Sequence, residues 1–343
     1  MTSNRITFSD SEILFYGNSQ GFTLNAGLSL LRNEFSSDRQ DGLLSATIKN
    51  PDLKPVADYV AASFMSPKNA LKVFACIADK FLRFRSALPH TNTADSAYAL
   101  VYEAGDNGGY LACENRETIC EMLLELSGIS NSREMSSTGM EISPIYLLII
   151  LAACDVILQN KYDGGWFTAA SVFNAYDISG ESGFSRIIFP LAYVADDIIY
   201  RSISYEDIQK ALNEMVKEEI LDIDEIDATS LYAFTLEYKY LTKLFEALQN
   251  RLAVYKHDEA GNIFILYVIS NQTETWGFTI KKDIGKIERL NAIRFNELCE
   301  TVLADEGANL IIQTQMSRKF CINCGSPLNA ESRFCSNCGK PVL

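Results

Sequence analysis

The stretch Lys68–Arg85, KNALKVFACIADKFLRFR, decides how the fold is read. Ala70, Val73, Phe74, Ile77, Phe81 and Phe84 recur at helical spacing, which predicts an amphipathic helix from about Lys68 to Arg85. A hairpin comes next. Tyr98 to Ala104 and Tyr110 to Glu114 are rich in aromatic, β-branched and aliphatic residues, and Gly105 to Gly109 supplies turn residues that tolerate positive φ. A helix from about Arg116 to Leu126 follows, with Ile119, Leu123 and Leu126 on one face.

The same order recurs further along. Phe234, Tyr238, Leu241, Leu244, Phe245, Leu248 and Leu252 mark a second long helix, from Leu231 to Leu252, followed by a hairpin from Ile263 to Ile280 and a last helix around Ala292 to Leu303. Leu71, Phe74, Ile77 and Phe81 stand opposite Tyr238, Leu241, Leu244 and Leu248, so the two apolar faces share a phase. Upstream, Leu28, Leu31 and Phe35 precede Gly42-Leu43-Leu44 much as Ile208, Leu212, Met215 and Val216 precede Ile220-Leu221. The reading is an α+β protein of two pseudo-repeated helix, antiparallel-hairpin, helix halves. Its boundaries are 1–128 for the first half, 129–143 for a polar linker, 144–303 for the second half, 304–317 for a second linker and 318–343 for a cysteine-bearing tail.

Composition limits the function. Among 343 residues, 44 acidic against 30 basic give a net charge of −14, which opposes extended contact between the body and a phosphate backbone. Only two histidines occur, His90 and His257, both read as loop residues, so histidine triads and histidine-rich metal centres find little material. The polar N-terminus lacks the basic and apolar regions of a secretory signal, and the ten-residue apolar run Ile145–Cys154 ends at Asp155, short of the ~20 residues of a membrane span. That run reads as a buried helix with Ser143 as cap and Pro144 in the first turn, and the protein as cytoplasmic. Cys76, Cys113, Cys120, Cys154 and Cys299 sit singly in apolar segments and read as small core residues of a reducing compartment.

The other four cysteines carry chemistry. Cys321-Ile322-Asn323-Cys324-Gly325 and Cys335-Ser336-Asn337-Cys338-Gly339 form two C-x2-C knuckles with ten residues between them. Each knuckle converges two thiolates on one cation, and two knuckles complete a tetrahedral set suited to Zn²⁺, although iron of rubredoxin type uses similar spacing. With Lys319-Phe320 before the first knuckle and Arg333-Phe334 before the second, residues 318–343 resemble the short zinc ribbon that ends many bacterial proteins. The resemblance implies one structural zinc on Cys321, Cys324, Cys335 and Cys338, with no open position for catalysis.

Elsewhere the motifs are weak. Asp222, Asp224, Glu225 and Asp227 lack the glycine and terminal glutamate of a calcium loop and read as a solvated acidic segment. Asp196-Asp197 reads as a helix-terminal or solvated pair, and the glycines at 105–109 precede a strand without the Lys-Ser/Thr of a phosphate loop. The layout of two α+β halves resembles the EspG-type chaperones of type VII secretion, on the helix Leu231–Leu252, the hairpin Ile263–Ile280 containing Trp276, and the helix after it. That resemblance implies a helical client; the lack of a catalytic constellation and the aromatic hairpins themselves read as a non-enzymatic protein that binds another protein, with Trp276 as the candidate anchor. The alternative is a nucleic-acid-associated regulator using the ribbon and the winged-helix-like segment from Ser204 to Asp224, against which Glu206, Asp207, Glu214, Glu218 and Glu219 crowd the would-be recognition face.

Overall fold

In the computed structural model the residues described are 7–24, 29–31, 41–77, 80–88, 98–103, 109–129, 139–159, 165–176, 187–188, 190–191, 194, 203–242, 250–258, 262–271, 274–281 and 283–303. The chain forms two compact units, Met1–Cys299 and Glu300–Leu343. A short strand β1 (Thr7–Phe8) leads into helix α1 (Asp10–Ser19), whose start is a reciprocal capping box: Ser9 Oγ accepts from the Glu12 N–H at 3.3 Å and Glu12 Oε2 accepts from the Ser9 N–H at 2.7 Å. Helices α2 (Gly42–Lys49) and α3 (Lys54–Met65) complete a first helical layer.

Strands β2 (Asn69–Ile77) and β3 (Lys80–Leu88) then occupy the stretch predicted as one helix. The correction has a physical reason. Both faces of β2 are buried, seven of its first eight residues fully, so the apolar–polar alternation of a half-exposed strand is absent and a near-continuous apolar run imitates helical spacing. Strands β4 (Tyr98–Glu103) and β5 (Gly109–Glu114) form the predicted hairpin and finish a four-stranded meander. Helix α4 (Arg116–Ser127) closes it, capped by the Asn115 side chain on the Thr118 N–H and ended by Gly128 at φ 68°.

The second half follows with β6 (Met140–Ile142), α5 (Pro144–Gln159), α6 (Ala169–Tyr176), α7 (Tyr205–Lys217), β7 (Leu221–Ile226) and β8 (Thr229–Phe234). A second meander comprises β9 (Asn250–Asp258), β10 (Ile263–Ser270), β11 (Thr275–Lys281) and β12 (Ile284–Arg289), and α8 (Ala292–Leu303) closes it. The helix expected from Leu231 to Leu252 is therefore corrected at both ends: its start belongs to β8 and its end to β9, residues 240–242 are helical as expected, and 243–249 lie outside the described residues. Gly42-Leu43-Leu44 begins a helix, and most of the stripe expected upstream of it falls outside the described residues. The two hairpins matched by sequence are one strand out of step. Tyr98–Glu114 supplies the third and fourth strands of its meander, Ile263–Ile280 the second and third.

One antiparallel sheet of ten strands unites the halves, in the order β1-β5-β4-β3-β2-β9-β10-β11-β12-β6. Its centre is the full-length pairing of β2 with β9, from Asn69 opposite Asp258 to Ile77 opposite Asn250. On one face α1 to α3 pack over Ala70, Ala87 and Ala99, small side chains that let α3 approach closely. The same face continues over Phe74, Ala253, Tyr267, Phe278 and Ile287, which meet α5 to α7. Helix α4 crosses the opposite face against β2, β9 and β10, anchored where Ser270 Oγ donates to the Ser127 carbonyl at 2.9 Å. On that face Leu290 fills the space above Gly277, where a Cβ would lie 2.6 Å from Leu290 Cδ1.

One buried ion pair ties the first helical layer to the sheet. Arg85 on β3 makes two bonds to Asp10 at the start of α1, at 2.9 and 3.0 Å, donates to the Leu30 carbonyl and lies 5.7 Å from the centroid of the Phe64 ring. Phe74, at 0% exposure, sits at the junction between β2 and β9 and touches the ring of Phe81 at 5.7 Å. Phe74→Ala is expected to lower the unfolding free energy by about 3 to 5 kcal/mol, from lost burial plus the cavity left behind. Urea denaturation followed by circular dichroism measures it, and a loss below about 1 kcal/mol would contradict a packed seam.

Candidate functional site

From α5 to β8 the described residues run through a helix, a short strand, helix α6, helical residues at 190, 191 and 194, helix α7 and the β7–β8 hairpin, and the last helix with its hairpin follows the order of a winged helix. The short strand is one residue. Phe167 pairs with Tyr232 on β8 through two backbone bonds of 2.9 and 2.8 Å, and its ring stacks on Tyr232 and tilts against Phe234. Helix α7 starts at a second capping box, in which Ser204 Oγ accepts from the Asp207 N–H and Asp207 Oδ2 accepts from the Ser204 N–H. Its inner face is Ile208, Ala211, Leu212 and Met215, all buried. Tyr232 donates to Asn213 Oδ1 at 3.0 Å, and Tyr146 of α5 donates to Glu214 Oε2 at 3.1 Å, which fix α7 against its neighbours. Burial first, and then the Glu214 carboxylate beside it, push the Tyr146 phenol up to about 12.

The outward surface of this unit is acidic. From Ser204 to Thr229 the chain carries nine acidic residues and two lysines, Lys210 and Lys217. Asp222, Asp224, Glu225 and Asp227 are all exposed on the β7–β8 hairpin, together with Ile223 at 42% and Ile226 at 53% exposure. The acidic segment of the sequence is thus a solvated wing. Its tip is a two-residue turn in which Asp227 (φ 51°) and Ala228 (φ 63°) both adopt left-handed backbone between the paired Ile226 and Thr229.

Trp276 lies on β11, half-buried against the main core. Its indole N–H donates to Glu274 Oε2 at 2.9 Å, and Glu274 Oε1 receives Arg289 Nη2 at 2.6 Å while the Arg289 guanidinium stands 5.5 Å from the indole centroid. Tyr240 flanks the same ring at 5.5 Å and is 38% exposed. The turn that leaves the wing brings Tyr240 there: Thr235 N–H bonds the Ile220 carbonyl, and Tyr238 and Leu241 continue the turn. Trp276 therefore presents part of a ring at the rim of the core, with its polar atom already satisfied. Tyr240 is the functional candidate that sequence reasoning missed, because nothing in the sequence pairs it with Trp276.

The remaining expectations sort plainly. His257 is on β9, half-buried, opposite Ala70 and Ile263, so its reading as a loop residue is corrected; a strand buried on both faces carries it. Burial lowers its pKa below 6.5. His90, Asp196-Asp197 and residues 105–108 lie outside the described residues. Cys76, Cys154 and Cys299 are buried thiols outside any disulfide and Cys120 is half-buried; burial pushes the Cys154 thiol up, away from thiolate chemistry. Among the described residues no group of three or more His, Cys, Asp or Glu could hold a metal, and no helix is long and apolar enough to cross a membrane.

Cys321, Cys324, Cys335 and Cys338 also lie outside the described residues. Comparison with protein families places a zinc-ribbon domain at residues 320–342, the span that holds both knuckles. The tail is a zinc-ribbon domain. Zinc binding follows from that match at the level of the domain. No curated protein matches the chain.

Ala228→Gly is expected to stabilise the wing by about 0.5 to 1 kcal/mol, because glycine adopts the left-handed backbone without the steric cost an alanine bears. Hydrogen exchange of the β7 and β8 amides reads this out; faster exchange in the variant would contradict the turn geometry.

Proposed function

We propose that this protein is a non-enzymatic, cytoplasmic adaptor whose acidic body binds another protein and whose C-terminal ribbon holds one structural zinc. The observation that carries the reading is the sign of charge on the winged-helix-like unit. The stretch that spans α7, the turn after it and the wing tip, residues 204–229, carries nine carboxylates against two lysines. Like charge opposes a phosphate backbone and favours a basic protein surface. Element order alone favours the second reading, a nucleic-acid-associated regulator; the charge weighs against it, because nucleic-acid affinity rests on neutralising phosphates.

Two meanders that meet along β2 and β9, each closed by a helix, support a duplicated architecture of the kind the EspG-type resemblance implies. In that reading the repeat is meander plus helix, and a helical client would rest on the aromatic rim formed by Tyr240 and Trp276. Aromatic anchors next to a guanidinium are the residue types that dominate protein interfaces. Capture of partners from a native extract by the full chain, followed by mass spectrometry, tests this. Trp276→Ala is expected to reduce recovery of the dominant partner at least several-fold without loss of folded circular dichroism. Unchanged recovery removes the rim from the interface, and salt-sensitive duplex binding in place of any protein partner supports the regulator.

In the ribbon, Cys321, Cys324, Cys335 and Cys338 would fill all four positions of one tetrahedral Zn²⁺, leaving none for water or substrate. Elemental analysis of protein purified without added metal is expected to give one zinc per chain. Iron in its place, or no metal after a reducing preparation, overturns the assignment. Cys324→Ser is expected to unfold the tail and leave the body's cooperative unfolding nearly unchanged, since such a ribbon owes its folding to the metal.

A further inference from the structure

The small sheet leaves one strand edge open. β8 lies on one side of β7, and Phe167 lies beyond β8, so the outer edge of β7 has no strand against it among the described residues. The pair that flanks a two-residue turn exchanges both backbone bonds, so Ile226 with Thr229, Asp224 with Leu231 and Asp222 with Ala233 are the bonded pairs. Leu221, Ile223 and Glu225 therefore direct their backbone groups to the outer edge. The Glu225 N–H is met by Asp224 Oδ1 at 2.9 Å, whereas Ile223 keeps its edge groups towards solvent.

Side chains along this edge alternate in a usable way. Asp222, Asp224 and Ile226 project to one face and Ile223 and Glu225 to the other, all exposed. A second copy of the chain is a poor occupant, because two such edges would bring Asp222, Asp224 and Glu225 against their own kind. A strand with lysine or arginine opposite Asp222 and Asp224, and an aliphatic residue opposite Ile223, gains backbone bonds, charge pairing and apolar contact together. The left-handed turn at Asp227-Ala228 holds the edge ready for it.

We propose that the outer edge of β7 is a docking strand for an extended segment of another protein that alternates basic and aliphatic residues. This rests on the protein-binding reading above and names a site and a partner chemistry for it. The contact is strand addition, with register set by Asp222, Ile223 and Asp224.

Calorimetric titration of the full chain with a synthetic peptide of alternating lysine and valine, against one of the same composition in block order, tests the proposal. The alternating peptide is expected to bind at least tenfold more tightly, and to weaken as salt is raised. Ile223→Pro removes an outward N–H without touching the β7–β8 ladder and is expected to reduce affinity at least tenfold. The variant Asp222→Lys leaves the Asp224–Glu225 bond in place, changes one exposed side chain and is expected to weaken binding several-fold, which keeps the test decisive were the proline to disturb the hairpin. Equal binding of the two peptides, or full binding by the charge-reversed variant, overturns the docking edge. Failure of the wider reading shows elsewhere, as an absence of any captured protein partner in the native extract.

Discussion

Everything in the body depends on the antiparallel contact between β2 and β9. Two meanders, laid down about 180 residues apart in sequence, become one sheet only because Asn69–Ile77 pairs along its whole length with Asn250–Asp258. Val73 faces Val254 and Phe74 faces Ala253 across that seam, and every one of these side chains is buried. The central strands are the ones covered on both faces, by helices from both halves on one side and by α4 on the other. Removing the seam would expose two edges rich in Val, Ala, Leu and Phe, an arrangement that drives strand association.

That burial is also why the sequence misled where it mattered most. Period-two alternation reports a strand only when one face meets water, and β2 has no wet face over most of its length. Leu71, Val73 and Ala75 serve one layer while Ala70, Phe74 and Cys76 serve the other, and their union happens to satisfy helical spacing. Other elements were legible from local signals. The hairpin β4–β5 has glycine-rich turn chemistry, α4 has Ile119, Leu123 and Leu126 on one face, and α7 has one apolar stripe. Local chemistry of that kind is written in adjacent residues. Pairing between residues 73 and 254 is not, because nothing in either segment states its partner.

The candidate sites divide the same way. Four cysteines at fixed spacing announce the ribbon, since the metal imposes the pattern on the chain, and the family match at residues 320–342 agrees. Trp276 could be picked by residue type, but its neighbours Tyr240, Glu274 and Arg289 come from the wing's exit turn, a tight turn and the next strand, and only folding assembles them. The acidic hairpin was visible as composition. What the fold adds is its setting: the same carboxylates stand at the position where a DNA-binding winged helix would need cations, and on a strand whose outer edge is open.

Native-state hydrogen exchange, resolved to the amides of residues 69–77 and 250–258, tests the single-sheet account most directly. If the seam unites the halves, the buried amides of both strands exchange only through global opening, with the same free energy and the same dependence on denaturant. Independent exchange, with one strand protected and the other opening through a separate, lower-energy event, would contradict it.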